Sequence, residues 1–252
     1  MKNYILKDKE FSLLSKLILI GLWALLSSLI DKEVILPSIK STILSLIDIV
    51  KDPSFSGIIL HSLIRSVIGF IISILLAMLL GIISSYSRFI YSLMLPILNF
   101  LSSIPTMAII ILALIWLDNE FVPMFVGFIM VFPILYETVL KGILNVDKNI
   151  MEMAKLYKVE RFTIIRDIYM PSIFINLSSV MTSAVNINLK MVIAGEVLSQ
   201  PKLAIGSNLQ MEKMYLNTSG VFAWIIIILG ISKILGYIVE LIGKIAKEDR
   251  WK

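Results

Sequence analysis

The chain of 252 residues contains no cysteine and a single histidine, His61. The first absence excludes disulfides and thiolate metal sites, and one imidazole is too few for a histidine-based metal centre. Charge is scarce as well. Asp, Glu, Lys and Arg make up 16% of the residues, against about 25% in a soluble domain. With 58% hydrophobic residues and a mean hydropathy of +0.93, that deficit points to an integral-membrane protein. No G-x-x-x-x-G-K-[ST] run occurs, so the chain has no P-loop to cradle nucleotide phosphates. An intramembrane hydrolase would need a convergent nucleophile and base, and one histidine at a membrane edge with no cysteine makes that reading poor. The net charge of +5 is modest and suits basic loops at a membrane surface better than nucleic-acid binding.

What the chain does have is apolar runs of about 20 residues, the length a helix needs to cross a bilayer. Six can be read: about 11–30, 57–84, 93–117, 123–140, 171–198 and 221–242. The first follows Lys2, Lys7 and Lys9 as a signal peptide would, but "SSLIDKE" offers no small-x-small cleavage site, so a retained anchor is expected. The third holds Pro96 and Pro105 and is expected to be kinked or broken. Between the first two, "LPS" and "IKSTILSLIDIV" read as a short helix at the outer interface. The expected fold is all-α, one transmembrane domain over residues 1–252 with six spans.

Lys and Arg are retained on the cytoplasmic side of membranes. With the N-terminus inside, the inner segments hold fifteen of them and the outer segments five, while Arg65, Lys190 and Lys233 fall within spans. Both termini and the loop at about 143–171 are therefore expected in the cytoplasm. That loop carries ten charged residues between Lys141 and Pro171. Within it Val146, Ile150, Met153, Ala154 and Tyr157 recur at helical spacing and form one apolar face. Lys148, Glu152 and Lys155 fall on the other side. Two short amphipathic helices of this kind suit docking to a partner protein, or contact with lipid headgroups.

The residues of this loop resemble the EAA motif of permease subunits of binding-protein-dependent ABC importers. "EMAKLYK", Glu152 to Lys158, matches E-A-A-x-x-x-G, and "IYMP", Ile168 to Pro171, matches I-x-L-P. Lys158 stands where the family has glycine, a residue that allows a tight or left-handed turn between the two short helices. The resemblance extends over nearly the whole chain and is closest to the aliphatic sulfonate, taurine and nitrate branch, through "HSLIRSVIGF", "SIPTMAI", "FPILYETVLKGILNVDKNIMEMAK", "KMVIAGEVLS" and the final "RW". It implies a type I importer permease in a bacterial plasma (inner) membrane, not itself an enzyme. Its partners would be two ATPase subunits that bind ATP and Mg, an external solute-binding protein, a second permease copy and membrane lipid. Ile150, Met151, Glu152, Met153, Ala154, Tyr157, Lys158 and Pro171 would form the element that couples to the ATPase. The resemblance leaves the substrate open among sulfonates, taurine, nitrate, bicarbonate and vitamin precursors. A secondary transporter is the competing class, but it should show repeat-related broken helices and paired intramembrane acids.

Within the spans, ionisable and polar residues are costly and usually face a cavity or a partner. Asn186, Asn188, Lys190 and Glu196 are therefore candidates to line a translocation path, with a structural tie or a snorkelling lysine as the alternative. Pro105 and Met107 could shape a gate where the third run is interrupted. His61 and Arg65 share a face near the outer end of the second run, as an anion-attracting mouth or an interfacial anchor. Gly69 and Gly81 are expected to permit close helix packing.

Overall fold

The computed structural model describes residues 2–248, with side chains for residues 14–244. The first three lysine side chains and the terminal "RW" lie outside that range. The regular elements of the described residues are all helices, with α1 at Lys2–Ile30, α2 at Ile39–Lys51, α3 at Phe55–Tyr86, α4 at Arg88–Ser103, α5 at Thr106–Trp116 and α6 at Val122–Leu144. There follow α7 at Lys148–Leu156, α8 at Arg161–Ile164, a π-helical turn at Ile165–Tyr169, α9 at Met170–Ser199, α10 at Ile205–Met214 and α11 at Thr218–Glu248.

Four helical stretches are long and apolar enough to cross a bilayer: Phe55–Tyr86, Val122–Leu144, Arg161–Ser199 and Thr218–Lys244. α4 and α5 together make a fifth, broken span, bent by 103°. The break has a local cause. A proline disfavours helical geometry in the residue before it, and Ile104 is extended at φ −71°, ψ 132° ahead of Pro105. Pro96, by contrast, sits inside α4 without ending it. The apolar part of α1, Leu14–Ile30, is shorter.

The fifth run departs from expectation. Pro171 was expected to close the preceding amphipathic segment and open the span. Instead α8, the π turn and α9 run on as one stretch from Arg161. Pro171 has no N–H to give to the carbonyl four residues back, and its ring crowds that carbonyl. The turn just before it is widened, with the Met170 amide donating to Ile165 O five residues back. Such an inserted π turn is a known way for a helix to absorb a local misfit. Residues 161–170 are thus helical and continuous with α9.

The chain divides into two compact units. One comprises the chain up to Ser56 with Asn208–Leu229. Here Ser38 caps α2 by accepting from the Ser41 amide at 3.0 Å. Trp23 Nε1 donates to Pro37 O at 3.0 Å, and its ring lies 5.6 Å from that of Phe222. Thr218 Oγ1 donates to Val34 O at 2.6 Å.

The other unit comprises Gly57–Ser207 with the chain from Gly230 on. Its centre is the antiparallel pair α6 and α9, which have the most extensive helix contact. Glycines let these backbones close at both ends. A Cβ on Gly142 would lie 2.9 Å from Ile173 Cα, and one on Gly195 would lie 2.9 Å from Pro123 Cα. Small residues serve this purpose in membranes, where lipid removes the hydrophobic drive for helices to associate. Gly69 and Gly81 of α3 pack the same way, against Met124 O and Val139 Cγ1. The buried core between these helices includes Leu135, Tyr136, Val139, Ile173 and Leu177.

Candidate functional site

The loop between α6 and α9 is built around α7. Asp147 caps it, its carboxylate accepting from the Asn149 amide at 2.9 Å. At the other end the Val159 amide donates to Ala154 O at 2.9 Å and the Lys158 amide to Lys155 O at 3.1 Å. This pair of bonds is a Schellman motif, whose C′ residue is left-handed and usually glycine. Here that residue is Lys158, with φ +47°. The turn expected of the family glycine is therefore formed by a lysine.

Burial divides the expected apolar face of α7. Ala154 is buried and Met151 and Val146 are half-buried, and all three turn inward; Met151 and Val146 pack on the main core. Ile150, Met153 and Tyr157 are exposed, Tyr157 by 74%. Leu156 and Phe162, which helical spacing did not single out, are exposed by 79% and 70%. Lys148, Glu152, Lys155, Lys158 and Arg161 are exposed around them. Ala154 is thus a seat that holds the helix, not part of its outward face, which corrects its expected place. Pro171 is half-buried in the span, apart from the exposed surface of α7.

A second constellation is a buried ion-pair knot. Arg65 Nη1 donates to Glu196 Oε1 at 3.1 Å and to Leu203 O at 2.8 Å, and Nη2 donates to Glu120 Oε2. Glu196 Oε2 also accepts from Ser62 Oγ at 2.9 Å and from the Gly206 amide at 3.1 Å. Ser62 Oγ in turn accepts from the Ile205 amide at 3.0 Å. Arg65, Ser62 and Glu196 are all buried, Glu196 completely. The knot ties α3, α9, the start of α10 and the turn before α6. Burial pushes the Glu120 carboxyl up, while the Arg65 hydrogen bond and charge pull it down, and it ends below its ordinary value. Its tie is therefore complete above the usual glutamate range and is lost only as pH falls through the lowered value.

The candidate path residues do not stay together. Asn188 and Glu196 are completely buried, and Asn188 donates to Ser66 O at 2.7 Å and to Ser66 Oγ at 2.8 Å. Both were expected on an open path, and in this structure both are internal ties. Arg65 likewise offers no charge to solvent, whereas His61 is exposed. Lys190 is exposed, and Asn186 is half-buried and accepts from Ser232 Oγ at 2.8 Å. Pro105 is exposed at the α4–α5 break, beside Met107, which is 60% exposed. Among the described residues no group of three or more His, Cys, Asp or Glu side chains could hold a metal ion.

Spanning helices, a broken helix pair and a capped polar helix between two spans define a multi-pass α-helical membrane protein. Residues 69–246 match the family described as the inner membrane component of binding-protein-dependent transport systems, and the chain belongs to that family. It is similar to a putative aliphatic sulfonates transport permease of Bacillus subtilis, with 22% identity over 95% of this chain and 87% of that one. It is also similar to probable ABC transporter permeases of Brucella melitensis and Brucella abortus, each 28% identical over 64% of this chain; the alignment spans 65% and 64% of their own lengths. The chain is an ABC transporter permease subunit.

Proposed function

We propose that this chain forms the translocation path of an ATP-driven importer, as one of two permease copies in a bacterial plasma membrane. A separate pair of ATPases, which bind the ATP and Mg, would dock on α7 from the cytoplasm, and an external binding protein would deliver the solute. The observation that carries the coupling role is the exposure of Ile150, Met153 and Leu156 on a nine-residue helix and of Tyr157 at its C-cap. That helix is anchored by Ala154, the Asp147 cap and the Schellman turn. An apolar patch on a rigidly held helix, ringed by charge, is what a partner's groove recognises. The path role rests on Asn186 and Lys190, which keep a polar face on a spanning helix, and on the break at Pro105. The competing secondary transporter lacks support, because the buried acid Glu196 is neutralised by Arg65 instead of standing ready to carry a coupling ion.

The test is copurification of the ATPase with Leu156→Glu and Tyr157→Glu permeases. Both substitutions change exposed positions, so insertion and folding should persist. We expect loss of the bound ATPase or of substrate-stimulated ATP hydrolysis in liposomes. Unchanged hydrolysis and unchanged copurification would refute the coupling role.

A further inference from the structure

α9 and α11 touch where Ser232 Oγ donates to Asn186 Oδ1 at 2.8 Å and where a Cβ on Gly236 would lie 3.3 Å from Thr182 Cγ2. Past this crossing the two helices part, and together with α3 they line a cleft of about 680 Å³. Its wall on α3 runs from Leu63 to Met78, about 22 Å at 1.5 Å per residue. On α9 the wall runs from Met170 to Asn188, about 27 Å on the same rise. One leaflet contributes roughly 15 Å to the hydrocarbon core, so an acyl chain can enter the cleft over its whole length.

The walls have little to give a polar guest. Asn188 Nδ2 donates to Ser66 O at 2.7 Å and to Ser66 Oγ at 2.8 Å, and Ser178 Oγ donates to Ile175 O at 2.8 Å. Phe70, Met78, Phe174 and Met181 stand among the apolar lining, and methionine adapts to an irregular, flexible neighbour. Water needs several polar partners to occupy such a space, and an empty cleft forfeits the dispersion contacts of its walls. Hydrocarbon satisfies both conditions.

The mouth of the cleft is charged. Glu240 and Lys244 both line it, at the end of the apolar span Thr218–Lys244, where hydrocarbon gives way to headgroups. A glutamate four residues before a lysine is the spacing at which the two pair on a helix surface. The ion pairs of the described residues nevertheless join Arg65 to Glu120 and Glu196, Lys141 to Glu137 and Arg166 to Asp167, and include neither. Two opposite charges are thus presented side by side, each open to a counter-charge.

We propose that the cleft binds a phospholipid with an amine headgroup, one acyl chain lying between α3, α9 and α11. Lys244 holds the phosphate and Glu240 the primary ammonium, which donates hydrogen bonds to the carboxylate. A quaternary ammonium has no N–H to give, and a headgroup without a cation sets its phosphate against Glu240 with nothing between them.

The purified transporter is equilibrated in detergent with equal amounts of phosphatidylethanolamine, phosphatidylcholine and phosphatidylglycerol of identical chains. The lipid that stays bound through gel filtration is then quantified by mass spectrometry. Phosphatidylethanolamine should be retained about fivefold over either competitor, the upper end of what an exposed ion pair contributes. Glu240→Lys should transfer the preference to phosphatidylglycerol, a gain that a folding defect would not produce. A Cβ on Gly243 meets nothing within 4 Å, so Gly243→Trp can place its ring in the mouth and should release the lipid with the permease copies still assembled. Equal retention of the three lipids, or a preference unchanged in Glu240→Lys, would overturn the proposal. So would a Gly243→Trp protein that keeps its lipid but loses its second copy, since that copy would then cover the cleft. Lipid kept but solute transport lost in the same variant would make the cleft part of the solute's path, and the lipid site would fall.

Discussion

Two residues carry costs that the rest of the structure must offset. Lys158 adopts the left-handed geometry that the end of α7 demands, and a side chain there costs about 1–2 kcal/mol. Lys158→Gly should therefore tighten the turn, and hydrogen exchange at the Val159 amide should slow about fivefold. Faster exchange would mean that the Schellman bonds are not what closes α7. Arg65 is the opposite case, a buried cation whose removal leaves Glu196 without its counter-charge. Breaking such a pair typically costs about 3–5 kcal/mol. Arg65→Met should lower the thermal unfolding temperature of the detergent-solubilised permease steeply. The double variant Arg65→Met with Glu196→Leu should recover part of that loss, whereas additive losses would show that the two residues do not act as a pair. Both residues were visible in the sequence, but their settings were not. The spacing between Arg65 and Glu196 spans more than a hundred residues, and only the close packing of α3 with α6 and α9 brings them together.

For the elements, apolar run length was a reliable guide and facing was not. The bilayer imposes a minimum helix length, so the runs at 57–84, 123–140 and 221–242 lie within α3, α6 and α11. Pro105 marked the break between α4 and α5 because its effect on the preceding residue is local. Facing was harder to read because lipid and protein core are both apolar, which erases the amphipathic period inside a span. On α7 the same ambiguity is concentrated in nine residues. One apolar side seats against the permease and the other is free, and spacing alone merged them into a single face. The consequence is testable. Ala154→Arg should fail to give a folded permease, since a long cation replaces a buried methyl, whereas Leu156→Glu should fold normally. Monodispersity after solubilisation distinguishes them, and a well-behaved Ala154→Arg protein would contradict the inward seating of Ala154.

On the scale of the whole molecule, the fifteen-to-five distribution of Lys and Arg sets the expected orientation, and the absence of cysteine makes it simple to probe. A cysteine at Lys148 should react with an impermeant reagent only from the cytoplasm, and one at Lys202 only from outside. Both side chains are exposed, so silence from both faces would not be expected. Labelling of Lys148→Cys from outside would invert the topology and remove the docking role with it. If that orientation holds, the central claim is that α7 meets an ATPase through its free apolar side. The most direct measurement is cysteine cross-linking in native membranes from positions 153, 154 and 157 of otherwise cysteine-free chains, with the ATPase subunit as the product sought. Met153→Cys and Tyr157→Cys should each cross-link to the ATPase, and Ala154→Cys, buried against the permease itself, should not. A cross-link from Ala154→Cys alone, or none from positions 153 and 157, would contradict α7 as the coupling element.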